Sequence, residues 1–129
     1  MKDSEFIVYE GGSFVIEWYY DAAGKSQAFD YYRELDRQQR TDLLKLVKLI
    51  GDTGKILNKQ KFRNEGDKIF AFKPKPERFL CFFYKDGKII ITNAFSKKQD
   101  KLPKTEKDRA LRHMADYADR MKKGTYYDG

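Results

Sequence analysis

Between Ile69 and Phe95 the chain carries three apolar-rich runs of strand length: Ile69–Phe72, Phe79–Tyr84 and Lys88–Phe95. Each is too short for a core helix and rich in β-branched and aromatic residues, so together they read as the centre of a sheet. Asp86-Gly87 sits between the last two runs. Both residues tolerate positive φ, and the pair therefore predicts a tight antiparallel hairpin. Pro74 and Pro76 lack the N–H that a ladder needs, and are expected to exclude regular pairing between the first and second runs. The rest of the chain must cover this sheet.

Upstream, Phe6–Tyr9 and Phe14–Tyr20 are β-rich and separated by Gly11-Gly12-Ser13, a plausible hairpin turn. Asp21-Ala-Ala-Gly24 breaks the strand. Ser26 is a fair N-cap for a helix to about Leu35, with Phe29, Tyr32 and Leu35 on one face. Asp36-Arg-Gln-Gln reads as a short connection. A second helix, about Arg40 to Gly51, repeats Leu43, Leu46, Val47 and Ile50 at helical spacing and stops at Gly51 and Gly54. Lys55–Asp67 reads as a polar, basic loop. A last helix, about Lys104 to Lys123, carries Ala110, Met114, Tyr117 and Met121 on one stripe, and Gly124 ends it. Thr125–Gly129 is expected to be a loose tail. The resulting order is β(β)αα–βββ–α in one domain, residues 1–129. The fold class is α+β, a twisted, mainly antiparallel sheet covered by an αα-hairpin with a C-terminal helix.

Charge is distributed as unevenly as hydrophobicity. Residues 55–107 hold 15 Lys and Arg against 6 Asp and Glu, whereas the remainder holds 12 against 14. The whole net charge of +7 therefore comes from the segment that reads as sheet, which makes that sheet a candidate surface for an anionic partner, nucleic acid first. With Asp86-Gly87 as the hairpin, Arg78 lies across from the region Phe95–Lys98, and Lys73 ends the preceding run near the same edge. Lys73, Arg78, Lys97 and Lys98 thus converge on one patch. Lys75, Lys101, Arg63 and Lys61 are the flanking cations, candidates for contact with a nucleic-acid backbone, RNA included. Taken singly, Lys55, Lys59, Lys61, Lys85 and Lys88 read as solvated charges. Phe62, Phe72 and Phe95 lie close in sequence, and such rings fill cores more often than they stack on bases.

Other chemistries lack a signal. The one cysteine, Cys81, lies inside an apolar run with no flanking cation and reads as a buried inert thiol. A lone cysteine supports neither a disulfide framework nor a thiolate zinc site, which fits a reducing cytosol. His113 has only Asp116 at ligand spacing, and no metal or cofactor is expected. Glu17, Glu34, Glu65 and Glu77 are scattered over separate elements, and the glycines match neither phosphate-loop spacing. No apolar run approaches the roughly 20 residues of a membrane span, and the acidic opening lacks a signal-peptide core. The expectation is a cytoplasmic protein.

The order of elements and several stretches resemble the RelE/HigB superfamily of bacterial type II toxins, in its phage-derived branch. The likeness runs from about Phe14 to Lys123. It rests on Tyr20-Asp-Ala-Ala-Gly-Lys-Ser26, Phe29–Leu35, Ile69-Phe-Ala-Phe-Lys73, Arg78-Phe-Leu-Cys-Phe-Phe83, Asn93-Ala-Phe-Ser-Lys-Lys-Gln99 with Pro103, and Ala110–Tyr117. The resemblance implies a RelE-like fold with an N-terminal αα-hairpin packed on the sheet. It also implies a ribosome-dependent mRNA endonuclease held in check by a cognate antitoxin of helix-turn-helix type. Its partner is then mRNA on the ribosome, and its chemistry a metal-independent transesterification. Arg78 matches the family's phosphate-binding arginine. Lys73 takes the place of a basic residue that the branch usually fills with arginine, and Lys97 and Lys98 match the basic pair after the last strand.

Three departures bear on activity. Ala71 stands where this branch commonly has glutamate and other relatives lysine, Ile69 replaces a lysine used by some relatives, and no tyrosine follows Lys98. Two readings follow: catalysis carried by Lys73, Lys97 and Lys98 with Arg78, or a catalytically weakened relative that binds RNA or protein. A DNA-binding phage accessory protein ranks third.

Overall fold

Six strands form one sheet in the order β1-β2-β6-β5-β4-β3. The structure, a computed structural model, describes residues 5–97 and 101–127. The strands are β1 (Ile7–Glu10), β2 (Val15–Trp18), β3 (Phe62–Gly66), β4 (Ile69–Phe72), β5 (Glu77–Tyr84) and β6 (Lys88–Ser96). The helices are α1 (Gln27–Glu34), α2 (Arg37–Thr53) and α3 (Lys104–Lys123). All neighbouring strands are antiparallel except β2 and β6, which run parallel from Val15↔Lys88 to Trp18↔Ile91.

The mixed α+β class and the C-terminal helix are as expected, but the helix pair is not N-terminal. The β1–β2 hairpin comes first, and α1 and α2 carry the chain from β2 to β3 at the far edge of the sheet. Each helix starts for a local reason. Ser26 Oγ accepts the Phe29 N–H at 3.2 Å, and Asp36 forms a capping box with Gln39. The expected connection Asp36-Arg-Gln-Gln is therefore the cap and first turn of α2. Gly54 and Gly124 end α2 and α3 in the left-handed conformation, at φ 85° and 71°.

Two more expectations change. Residues 62–66, read as loop, form β3. They contain one large apolar residue, so their strand state comes from pairing with β4 and not from their own pattern. Pro74 and Pro76 do not prevent pairing either, since β4 and β5 are in register from Phe70↔Cys81 to Phe72↔Phe79. The prolines lie just beyond, in the turn, where no ladder N–H is required; the Lys75–Pro76 bond is cis.

Alternation along the strands splits the core into two layers. Ile16, Trp18, Phe72, Phe79, Cys81, Ile89 and Ile91 face α1 and α2, where they meet Leu43, Val47 and Ile50. Phe6, Tyr19, Ile69, Ala71, Leu80, Phe82, Ile90 and Phe95 face α3. The tail belongs to this second layer. Tyr126 is 2% exposed, and the Tyr127 hydroxyl donates to Glu17 Oε1 at 2.7 Å, so Tyr126 and Tyr127 are packed and not loose, while residues 128–129 of the expected tail lie outside the described residues. Among the described residues no helix is long and apolar enough to cross a membrane.

Candidate nucleic-acid interface

At one end of the sheet the α3-facing layer changes from apolar to cationic. Arg78 is paired with Phe95 in the β5–β6 ladder. One step past Phe72↔Phe79, the same register sets Lys73 opposite Arg78. Lys73 in turn donates its N–H to the Lys61 carbonyl at 2.8 Å, which extends the row to β3. Lys61, Lys73, Arg78 and Phe95 therefore lie side by side across four strands. Pairing with Ala71 puts Arg63 on the same face. The Lys97 N–H donates to the Pro76 carbonyl at 2.9 Å, which ties the start of the next segment to the β4–β5 turn.

The two central cations are buried, not solvated. Lys73 is 7% exposed and Arg78 8%. Lys73 Nζ donates to the Lys59 carbonyl at 3.2 Å, and Arg78 Nη1 donates to the Glu77 carbonyl at 2.9 Å. Arg78 Nε has no hydrogen-bond partner among the described residues. Burial holds the Lys73 ammonium below the ordinary lysine range, and the positive charges of Arg78, Lys97 and Arg63 push it further; Glu65 opposes them. Burial likewise lowers Arg78, against Glu65 and Glu77.

Of the eight residues expected at the site, Lys73, Arg78, Lys97, Lys61 and Arg63 are brought together. Lys75 is exposed at the adjoining β4–β5 turn, and Lys101 is exposed just before α3. Lys98 lies outside the described residues. Lys55, Lys59 and Lys85 are exposed, as their solvated reading requires. Lys88 is a correction: it pairs with Glu17 at 3.5 Å and donates to the Tyr127 hydroxyl at 2.6 Å, because the parallel β2–β6 pairing sets Glu17 close by. Phe62, Phe72 and Phe95 are core residues.

Ile69 and Ala71, where the resemblance implies charged residues, are fully buried in the layer beneath α3. A charge there would have no route to solvent, so in this chain the cationic surface begins at Lys73. One group escaped the sequence reading. Glu77 is buried on the opposite face from Arg78, where it accepts from the Tyr31 hydroxyl and, at 3.0 Å, from Gln39 Nε2. Three separate elements supply that network, and only the alternation around Arg78 hinted that Glu77 points toward the helices. His113 is a packing histidine, stacked on Tyr19 at 4.5 Å between ring centroids. Burial, with Arg109 and Arg112, lowers its basicity. Cys81 is buried, and its thiol is pushed up by desolvation.

Fold and site together define a small α+β protein whose single sheet ends in a row of cations, the two central ones buried. Residues 30–115 match the model of the phage-derived Gp49-like family (DUF891). The chain belongs to this family, which is RelE-like and toxin-related. No curated protein matches the chain.

Proposed function

We propose that this protein is the toxin of a type II toxin–antitoxin system, acting as a ribosome-dependent mRNA endonuclease that inhibits translation. The observation that carries the reading is the cross-strand pair Lys73–Arg78, two buried cations at the open end of the sheet. In the proposed reaction a ribose 2′-hydroxyl attacks the adjacent phosphorus. Lys73, whose burial and cationic neighbours favour the neutral amine, takes the hydroxyl proton. Arg78 donates two hydrogen bonds to the phosphorane oxygens, and Lys97 adds positive charge. The bond to the 5′-oxygen breaks, that oxygen leaves with a proton from the Lys97 ammonium, and a 2′,3′-cyclic phosphate and a 5′-hydroxyl result. No step calls for a metal or cofactor. Lys61, Arg63, Lys75, Lys98 and Lys101 hold the flanking backbone, and a cognate antitoxin protein restrains the activity.

A second reading, a catalytically weakened relative that binds RNA or protein without cutting it, is favoured by the burial of Ile69 and Ala71. Induced expression in a bacterium, followed by growth measurement and mapping of mRNA ends, separates the two. The nuclease arrests growth and cuts messages within translated frames. Normal growth with intact messages at verified expression removes the nuclease and leaves the binding module.

A further inference from the structure

Glu77 opens β5 and is 3% exposed, with its side chain turned toward α1 and α2. A carboxylate that leaves water is costly unless other groups hold it. No ion pair reaches this one among the described residues. Two neutral donors hold it instead: the Tyr31 hydroxyl on Oε1, and Gln39 Nε2 on Oε2 at 3.0 Å. Both donors are fixed in turn. Gln39 belongs to the α2 capping box, where its Oε1 accepts the Asp36 N–H at 3.0 Å. The Tyr31 ring stands edge-on to Phe79 at 5.8 Å, and burial together with the nearby carboxylate keeps its hydroxyl protonated. One buried side chain thus ties α1, the first turn of α2 and the start of β5 together.

The main chain of the same residue reaches the cation row. Its N–H donates to the Pro74 carbonyl at 3.0 Å and closes the β4–β5 turn. Its partner across the ladder is Ser96, next to Lys97. Its carbonyl accepts from Arg78 Nη1 at 2.9 Å. With Nη1 held there, the guanidinium keeps one edge with two parallel N–H groups, from Nε and Nη2, and Nε has no partner among the described residues. That edge matches two oxygens of one phosphate. A carbonyl that moved would release Nη1 and let the long side chain turn about its own bonds.

We propose that Glu77 is a positioning residue: its carboxylate, locked by Tyr31 and Gln39, fixes the carbonyl that clamps Arg78, so that the guanidinium meets an RNA phosphate through its Nε–Nη2 edge. Action on the phosphorane rests on the nuclease reading; capture of a phosphate by that edge does not. The helix pair then belongs to the site, although Tyr31 and Gln39 lie on the far side of the sheet from the cation row. The carboxylate also contributes charge, since Glu65 and Glu77 oppose the burial that lowers Arg78. Glu77→Gln keeps the shape and removes that charge. It also sets an amino group where two acceptors are required, so the bond from Tyr31 or from Gln39 is lost. Tyr31→Phe removes one donor and leaves the Gln39 bond in place.

The test uses the full chain and these two variants, with melting curves to establish folding. Tyr31→Phe, the milder change, carries the test alone if Glu77→Gln does not fold. Inorganic phosphate is titrated into isotope-labelled protein while the Arg78 Nε–H NMR resonance, assigned by its loss in Arg78→Lys, is followed. The parent resonance is expected to shift with phosphate, and each variant to need roughly tenfold more of it, the scale of a misplaced contact group. Single-turnover cleavage on programmed ribosomes should slow roughly tenfold or more, with the half-saturating ribosome concentration within about twofold of the parent's. In an Arg78→Ala background, Glu77→Gln or Tyr31→Phe should slow it no further. A purely structural Glu77 instead lowers the Tm with an unchanged phosphate response, or causes equal losses with and without Arg78. Either result overturns the proposal, as does a parent resonance indifferent to phosphate. A weakened phosphate response in the variants of a protein that cuts no message keeps the role of Glu77 and removes the nuclease; message cutting at the parental rate by both variants does the reverse.

Discussion

Arg78 and Lys73 stand opposite each other but are asked for different chemistry. A guanidinium stays charged and offers parallel donors to two phosphate oxygens, which an ammonium cannot reproduce. Arg78 also begins a strand whose backbone is paired on both sides, so its truncation should leave the fold standing. Arg78→Ala is expected to slow single-turnover cleavage on programmed ribosomes by roughly 10²-fold or more, with Arg78→Lys recovering part of the loss. Lys85→Ala, in the β5–β6 turn at the other end of the sheet, should cut at the parental rate. Equal rates for Arg78→Ala and the parent would move the active edge elsewhere. For Lys73 the sign of the pH effect is set by its lowered pKa. The unfolded chain holds this proton more tightly than the folded one. Stability therefore rises with pH between the lowered value and the ordinary 10.5, and the full penalty stands below that interval. Lys73→Met should abolish cleavage yet stabilise the protein by about 1 kcal/mol at neutral pH, a Tm gain of roughly 4 °C. Lys97→Ala removes both the proton donor to the leaving oxygen and a positive neighbour of Lys73, so cleavage should slow and the rising limb of its pH–rate profile should move to higher pH.

At the scale of elements, local signals located most of the structure. Ser26, Gly54, Gly124 and Asp86-Gly87 act through backbone geometry that involves few distant residues, and each marks the boundary it was expected to mark. The β1–β2 turn adds a tertiary requirement that its glycines do not disclose. The Ser13 and Phe14 N–H groups both donate to the Gly51 carbonyl, at 2.8 and 3.0 Å, so the turn is seated on the last coil of α2. A Cβ on Gly11 would come within 2.1 Å of the Gly51 backbone, whereas a Cβ on Gly12 would meet nothing within 4 Å. Gly11→Ala is thus expected to cost about 2–3 kcal/mol, as overpacking against a rigid backbone does, and Gly12→Ala less than about 1. Paired urea titrations of the two variants would check this, and similar midpoints would count against the close approach.

Over the whole molecule, two layers of aromatic packing close around the sheet, and the last residues complete one of them. Tyr126 packs on Phe6 and Tyr117, with ring centroids 5.4 and 4.5 Å away, and its hydroxyl accepts the Tyr20 N–H at 3.0 Å. Tyr126→Ala should cost about 3 kcal/mol, near the range for removing a buried ring. Thermal melts of that variant and of a chain ending at Gly124 would measure it; an unchanged Tm would mean that the tail contributes nothing. The excess charge acts at this scale too. RNA affinity should fall steeply with salt, and substituting a lysine that contacts phosphate should reduce the log–log slope by about 1. Unchanged slopes for Lys73, Arg78, Lys97 and Lys98 variants, measured one at a time, would mean that none of them contacts phosphate.

The central hairpin, the helix caps, the closing helix and the convergence of Lys73, Arg78 and Lys97 were legible in the residues, because turn chemistry, periodicity and strand alternation are short-range properties. The residues did not disclose β3, whose strand state depends on β4, or the ladder beside Pro74 and Pro76, or the parallel seat of β2 that joins Glu17 to Lys88 and Tyr127. Nor did they tell which cations are dry. Lys59 and Lys73 look alike in sequence, yet one is in water and the other beneath the sheet end, where desolvation and three positive neighbours change its proton affinity. Burial and long-range pairing are sums over residues far apart in the chain, and only the assembled sheet fixes them.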